Sequence, residues 1–220
     1  MFPTLAHGTD ICNRHAATPR HRVGIQDLLG PTAWLNLPPA VRARFASAAT
    51  AVDYVGAFEV VRASRLGKVF AFAARLFGTP IAPRSGLNVA ASVRVAPLSE
   101  GTQWDRCYCW SDGAKTAVRS VKLIDAGNLI EKLSPHLCMP LTVYEYQGAL
   151  HFESQGYYFE FFPRTARPWR LALPPWLSPG VTHVEHKDLG GGWFRFTLRV
   201  EHARWGQLFF QTGRFRAAGG

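Results

Sequence analysis

The amino-acid sequence predicts a mainly β fold of the α+β class, in which an antiparallel meander forms a barrel, a half-barrel or a highly curved sheet. Alternating strands, regularly spaced turn signals and a high aromatic content lead to this prediction. Between Trp193 and Glu201 apolar and polar residues alternate without a slip, as in a half-buried antiparallel strand. The 220 residues include 15 Phe, 7 Trp and 6 Tyr, which favour strands and a large apolar interior.

The chain is interpreted as one folded unit that follows a basic arm. Residues 1–24 carry several His and Arg residues without hydrophobic periodicity, so we expect a flexible arm there. No internal repeat or low-complexity linker interrupts residues 25–217, which we expect to form a single β-rich domain. Neither a secretory signal nor an apolar run of membrane-spanning length is evident, so we expect a cytoplasmic location.

Two short helices are predicted in the N-terminal half of the chain. Pro38 and Pro39 suit the first turn of a helix that ends near residues 48–50. A second helix is predicted from residue 66 to residue 77, where apolar residues recur at helical spacing before Gly78. This basic amphipathic helix has two interpretations: it closes one end of the β-core, or it lies on a membrane surface.

Strands follow one another from residue 56 almost to the C-terminus. After the first, they are predicted at residues 87–95, 104–110, 116–124, 129–133, 141–146, 150–162, 193–202 and 207–216. Turn signals occur at Asp112-Gly113, at Gln147-Gly148 and at the three glycines 190–192. Their regular spacing indicates an antiparallel meander, arranged either as a barrel or as two packed sheets.

The segment from Trp169 to Pro179 differs from the strands around it. Its prolines, with the one just before it, deny it ladder hydrogen bonds, so a loop or an irregular edge is predicted. Trp169, Trp176 and several leucines make this segment apolar. It either forms a cavity mouth that can touch a membrane, or packs as a rigid lid.

The most suggestive polar feature is Trp104-Asp105-Arg106. On a strand, Trp104 and Arg106 project from the same face. If that face is interior, Arg106 requires Glu131 or a ligand anion as its partner, because an unpaired buried cation is costly. The alternative is an Arg106 on the outer face with an aromatic neighbour.

Known catalytic and metal-binding patterns do not occur in the sequence. There is no Gly-x-Ser-x-Gly elbow, phosphate-binding glycine loop or dinucleotide fingerprint. His183 and His186 are three apart, so on a strand they point to opposite faces and do not form a metal pair. Cys107 and Cys109, which with Cys12 and Cys138 make up the four cysteines, are expected to be small core residues. We therefore name no catalytic residue, no metal and no cofactor.

A series of short motifs occurs in a characteristic order along the chain. The motifs are Leu28-Leu29-Gly30-Pro31, Leu37-Pro38-Pro39-Ala40-Val41-Arg42, Ala73-Ala74-Arg75-Leu76-Phe77, Trp104-Asp105-Arg106, Leu129-Ile130-Glu131, Leu173-Pro174-Pro175-Trp176-Leu177-Ser178-Pro179, Trp193-Phe194-Arg195-Phe196, Gly206-Gln207-Leu208 and Gly213-Arg214-Phe215. From Ile25 to Arg216 the chain thereby resembles the bacterial domain of unknown function number 4166. Members of that family occur alone or fused to dehydrogenase-like domains, which implies an association with redox or lipid-modifying gene products. Phe45 departs from the family, which tends to carry a His there, and this weakens any catalytic role for the position.

The leading functional hypothesis is a module that binds an apolar or amphiphilic, lipid-like ligand in a β-barrel cavity. The ligand-binding residues that we expect are Trp104, Arg106, Glu131, Trp169 and Trp176. The first alternative is an auxiliary or catalytic partner of a dehydrogenase-like protein, which only the family resemblance implies. The second is binding of nucleic acid or an anionic membrane by the basic surface, since the formal charge is +10. Nucleic acid is disfavoured because the arginines are spread along strands.

Overall fold

Twelve antiparallel strands and three helices make up the part of the chain that the computed structural model describes, namely residues 24–46, 50–76, 83–162 and 168–219. The predicted basic arm, with Cys12, lies outside the described residues except for Gly24. The helices are α1 (Ile25–Asn36), α2 (Pro39–Phe45) and α3 (Arg65–Leu76). The strands are β1 (Val52–Ala63), β2 (Gly86–Leu98), β3 (Gly101–Cys109), β4 (Lys115–Asp125), β5 (Asn128–Lys132), β6 (Leu137–Tyr146), β7 (Ala149–Ser154), β8 (Tyr158–Phe161), β9 (Trp169–Ala172), β10 (Val181–Gly190), β11 (Trp193–His202) and β12 (Gly206–Ala217).

Ten of the described strands form a closed barrel. Strands β1 to β7 pair in chain order, β7 pairs with β10, and β10 to β12 continue the meander. The barrel closes where β12 pairs with β1, with Phe58 opposite Gly213. Strands β8 and β9 form a ribbon that is attached to the beginning of β6. The predicted antiparallel meander is confirmed, and its form is a closed barrel.

A glycine is required at the seam between the first and last strands. A Cβ atom at Gly213 would collide with the carbonyl oxygen of Ala57 on β1. Gly213 also lies opposite Phe58 on one side and Phe196 on the other. The missing side chain therefore brings the two strands together and leaves space for both rings, which contact each other edge to face.

The structure has one more helix in the N-terminal half than the two predicted. Helix α1 is interrupted by Gly30, whose φ of 74° and ψ of 165° are not helical, and by Pro31. These two residues conceal a helix from a sequence pattern, because both normally end one. Helix α2 ends at Phe45, before the predicted end, whereas α3 agrees with its prediction to within one residue.

The strand predicted at residues 150–162 is two strands. Strand β7 ends at Ser154 and β8 begins at Tyr158, with Gly156 between them at a φ of 108°.

The expectation that Cys107 and Cys109 belong to the core is wrong: Cys107 is only partly buried and Cys109 is exposed. Their even spacing puts them on the same face as each other, but that face of β3 is the outer one.

The two ends of the barrel are covered differently. At the closed end, α1 packs on β6, and α2 inserts its buried Phe45 beside the Trp104 ring. At the opposite end, α3 crosses β12, where Gly67 lies against the backbone of Leu208 and Ala71 is fully buried. The irregular segment 173–180 also lies at this second end, because it leads directly into β10. We call the second end the mouth.

Candidate functional site

The barrel encloses a cavity of about 370 Å³ that extends from the inner strand faces to the mouth. This volume is within the range of small-molecule sites, about 300–1,000 Å³. Apolar side chains line most of the wall, including Val61, Phe196 and Val200 on the strands. Phe70 of α3 and Leu177 of segment 173–180 line it at the mouth. Helix α3 and that segment therefore flank the same opening.

Three charged side chains meet on the inner face of β3, β4 and β5, and we call Arg106, Lys122 and Glu131 the inner charge cluster. Lys122 lies directly opposite Glu131 in the sheet, and its Nζ is 2.8 Å from the Glu131 carboxylate. The Arg106 guanidinium is 3.9 Å from the same carboxylate and donates a hydrogen bond of 3.2 Å to Ser120 Oγ. All three line the cavity and expose little of their side chains.

The protonation of the inner charge cluster follows from one carboxylate lying between two cations. Burial opposes ionisation of Glu131, but the charges of Lys122 and Arg106 outweigh it and hold the pKa of Glu131 below its ordinary value. The pKa of Lys122 is also lowered, because burial and the neighbouring Arg106 together outweigh its attraction to Glu131. The single negative charge of Glu131 cannot neutralise both Lys122 and Arg106.

Two aromatic side chains add polar atoms beside this cluster. Lys122 Nζ lies 5.2 Å from the ring centroid of Trp104, within the range of a cation–π contact. His186 packs edge to face on Phe45 and Phe196, with centroid distances of 4.8 and 5.2 Å. Burial lowers the pKa of His186 well below its ordinary value, and the cations Arg44, Lys122 and Arg106 lower it further, so the ring is neutral at pH 7. Trp104 Nε1 and His186 Nδ1 are buried and have no hydrogen-bond partner among the described residues.

A second interior polar pair, on another part of the wall, is complete in itself. The Tyr108 hydroxyl donates a hydrogen bond of 3.0 Å to Gln211 Oε1. The Tyr108 ring stacks on Phe58, with a centroid distance of 4.9 Å. Burial raises the pKa of Tyr108, so the hydroxyl stays protonated. Both partners are satisfied, so this pair shapes the cavity wall and does not require a ligand atom.

Comparison with models of protein families identifies the family of this barrel. The model of the family described as domain of unknown function (DUF4166) matches residues 37–215. The chain belongs to this family. The match includes α2, α3 and every strand of the DUF4166 barrel down to Phe215 in β12. Comparisons with curated proteins and with solved structures give no match. No helix among the described residues of this DUF4166 chain is long and apolar enough to cross a membrane.

The DUF4166 barrel brings together three of the five ligand-binding residues that the sequence predicted. Trp104, Arg106 and Glu131 share the interior, with Glu131 as the partner of Arg106. Trp169 is exposed on β9, where its ring lies against Phe161 and outside the cavity lining. Trp176 is exposed next to Leu177, so it lies at the mouth and not in the cavity.

Sequence reasoning missed Lys122 and His186. Val118, Ser120 and Lys122 share one face of β4, while Arg119 and Val121 share the other. Both faces mix polar and apolar residues, so alternation could not show which one is interior. For His186 a signal was present, since on a strand it shares a face with the apolar Val184, whereas His183, Glu185 and Lys187 share the other.

The two histidines of β10 lie on opposite faces, as their spacing predicted. His183 is on the outer face, where its Nε2 lies 3.2 Å from His151 Nδ1 and 3.2 Å from the Tyr144 hydroxyl. Burial, followed by the neighbouring His151, lowers the pKa of His183. Within the described residues, no group of three His, Cys, Asp or Glu side chains is arranged to hold a metal ion.

Proposed function

We propose that the barrel binds an amphiphile that has one apolar chain and an anionic head group such as a carboxylate. The observation that carries this proposal is the charge of the inner cluster. Arg106 and Lys122 contribute two positive charges, Glu131 contributes one negative charge, and the neutral His186 contributes none. The described side chains at this site therefore sum to one positive charge in an apolar enclosure.

An excess buried charge of this kind favours an anionic occupant. A buried cation without a full counter-charge is costly, and a bound carboxylate would supply the missing negative charge. Hydrogen bonds to charged groups contribute about 1.5–3 kcal/mol each, more than neutral ones. Arg106 has further N–H donors besides the one that Ser120 accepts, and a guanidinium can hold a carboxylate with two of them.

The remaining polar atoms of the site are suited to a head group at the same place. Trp104 Nε1 is an N–H donor, and a buried donor without an acceptor is unfavourable by about 1–3 kcal/mol. Trp104 lies within cation–π range of Lys122, so an acceptor near Lys122 is also near the indole. Trp104, Lys122 and His186 thus surround the same small volume at the closed end of the cavity.

The rest of the cavity suits an apolar chain. Towards the mouth the wall consists of Val61, Leu133, Val200 and Phe209, with Phe70 at the opening. An alkyl chain that extends from the head-group site to the mouth would be transferred from water to this apolar surface. Burial of apolar area contributes about 25 cal/mol per Å².

The test uses three ligands that share a twelve-carbon chain and differ in the head: dodecanoate, dodecanol and dodecyltrimethylammonium. Binding is measured by titration calorimetry and by the fluorescence of the seven tryptophans. One charged hydrogen bond predicts that dodecanoate binds roughly 10- to 100-fold more tightly than dodecanol, and that the cation binds weakest. If the three affinities are equal, or if no ligand binds, the proposal is wrong.

Two variants locate the head group and a third controls for net charge. Lys122→Met and Arg106→Met each remove the excess cation and leave Glu131 with one neutralising partner, so both variants should fold. Each should lose most of the preference for dodecanoate over dodecanol. Arg94→Met removes the same charge from the outer face of β2, where Arg94 pairs with Asp53 outside the cavity lining, and should keep the preference. Equal losses in all three variants would assign the preference to overall charge.

A further inference from the structure

Exposed apolar side chains collect at the mouth of the barrel. Phe72 and Trp176 leave 67% and 68% of their surface accessible, which is a large exposure for apolar side chains of this size. Val69, on the same helix as Phe72, and Leu177, next to Trp176, are also exposed. Leu87, the second residue of β2, is exposed at the same end of the barrel. We call Val69, Phe72, Leu87, Trp176 and Leu177 the apolar rim.

The rim is continuous with the wall of the cavity. Leu177 is both exposed and part of the lining, and on α3 the lining residues Phe70 and Ala73 adjoin the exposed Val69 and Phe72. Phe70 also contacts Trp205 at a centroid distance of 5.8 Å, which holds the helix on the barrel. An apolar path therefore runs from the outer surface, over the rim, into the barrel.

The charged residues are distributed unequally between the two ends. At the mouth, Arg62, Arg65, Lys68 and Arg204 are exposed, and neither α3 nor the turn at residues 203–205 contains an acidic residue. At the closed end charges of both signs occur together: acidic Asp27, Glu100, Asp125, Glu145 and Asp188, and basic Arg42, Arg44, Lys187, Arg195 and Arg216. The exposed acidic residues at the mouth, Asp112 and Glu201, pair with Arg84 and Arg199. A negatively charged surface would therefore attract the mouth more strongly than the closed end.

From this arrangement we infer that the mouth docks on an anionic phospholipid bilayer. Helix α3 lies in the headgroup layer with Val69 and Phe72 inserted, and Trp176 and Leu177 insert beside them. Arg65, Lys68 and Arg204 face the anionic headgroups, and each contributes about 1 kcal/mol near such a surface. In this orientation an amphiphile can pass from the bilayer into the cavity without crossing water. That route rests on the proposed function, whereas the docking itself rests only on the exposed surface.

Vesicle co-sedimentation of the full chain tests the docking. The vesicles are phosphatidylcholine alone, or phosphatidylcholine with a third of its lipid replaced by phosphatidylglycerol. We expect binding to the second composition, weakened by salt because of screening. Phe72→Asp and Trp176→Asp should each reduce the affinity at least tenfold, because burying one large apolar side chain contributes about 1.5–3 kcal/mol.

The matched control is Leu35→Asp on α1. Leu35 leaves 65% of its surface accessible, about as much as Phe72, but it belongs to the closed end. This variant should bind vesicles like the unmodified chain. If Leu35→Asp weakens binding as much as Phe72→Asp, or if the unmodified chain does not sediment with anionic vesicles, the docking inference is wrong.

Dodecanoate titration without vesicles separates this inference from the proposed function. Phe72→Asp should bind soluble dodecanoate with an affinity within about threefold of the unmodified chain, because Phe72 is on the rim and not in the lining. If Phe72→Asp weakens vesicle binding but the unmodified chain does not bind dodecanoate, the docking is supported and the cavity proposal is contradicted. A chain that binds dodecanoate but not vesicles contradicts the docking alone.

Discussion

Two buried glutamates of this barrel are each placed between two cations, and their surroundings differ. Glu131, 5% exposed, lies on the inner face with Lys122 and Arg106. Glu160, 2% exposed, lies on β8 outside the barrel, 2.6 Å from Lys132 Nζ and 3.1 Å from the Arg170 guanidinium. We call Glu160, Lys132, Arg170 and Asp125 the outer charge cluster.

The outer charge cluster is neutral, and the inner one is not. Arg170 also pairs with Asp125 at 2.6 Å, so two cations meet two carboxylates outside the barrel. These contacts connect β8 and β9 with the β4–β5 region and hold the ribbon on the barrel. The inner cluster has no second carboxylate among the described residues that line the cavity. The ion pairs of the outer charge cluster therefore serve to hold the ribbon on the barrel. The inner charge cluster has one more positive than negative charge, which is suited to an anionic ligand.

The largest expected effect comes from replacing the two glutamates. Glu131→Gln leaves two buried cations without a carboxylate and should lower the free energy of unfolding by about 3–5 kcal/mol. Glu160→Gln should lower it by only about 1–3 kcal/mol, because Lys132 and Arg170 reach solvent and Arg170 keeps Asp125. Urea unfolding at pH 7 measures both losses. Equal losses would remove the distinction between the two clusters.

The loss in Glu131→Gln should shrink as the pH rises. Burial already lowers the pKa of Lys122, so the native state releases this proton at a lower pH than the unfolded chain does. Between those two pKa values the unfolded chain holds more protons, and stability therefore increases with pH. Urea unfolding of this variant between pH 7 and pH 10 would show the increase. A flat profile would mean that Lys122 keeps its charge.

A smaller effect distinguishes the inner and outer histidines of β10. Because the pKa of His186 lies well below its ordinary 6.5, the unfolded chain takes up a proton below that pH and the native site does not. This term should lower stability by about 1.4 kcal/mol per pH unit as the pH falls from about 6.5 towards the native pKa. His186→Phe should remove the term, whereas His183→Gln on the outer face should remove less. Urea unfolding at several pH values between 7 and 5 measures the slopes, and identical slopes in both variants would contradict the prediction.

The smallest effect is expected at the ribbon. Arg170→Ala removes two ion pairs of a partly exposed side chain and should lower the free energy of unfolding by about 1 kcal/mol or less. Hydrogen exchange of the β8 and β9 amides should become faster, while the affinity for dodecanoate should not change. Exchange measured by mass spectrometry, with titration of the same sample, tests both statements. A loss of dodecanoate binding would show that the ribbon also supports the cavity.

Much of the fold could be predicted because its signals are local. Strand β11 was evident from its alternation, and the turn before it from three successive glycines, each of which has a positive φ. Strand β10, on the other side of that turn, was not predicted. The beginning of α2 followed from Pro38 and Pro39. Helix α1 was missed because Gly30 and Pro31 interrupt its pattern. The break between β7 and β8 was missed because the mostly apolar residues 157–162 follow Gly156 at once.

The candidate site was predicted only in part. The sequence showed that Trp104 and Arg106 share a face, and named Glu131 as the partner that an interior Arg106 would need. The sequence could not assign Lys122 to the site, because only the pairing of β4 with β5 puts it opposite Glu131. The size of Trp169 and Trp176 and their apolar segment predict ligand contact, and in the structure Trp169 lies on the ribbon and Trp176 at the mouth.

By itself, the sequence determined most of the strands and which side chains of a strand share a face, because both depend on neighbours along the chain. Only the tertiary structure decided that β12 pairs with β1, and closure made one face of every barrel strand the interior. Alternation assigns faces relative to each other, and the same parity fits either side of a sheet. For that reason Cys107 was wrongly placed in the core, while Arg106, one residue away, became part of the cavity.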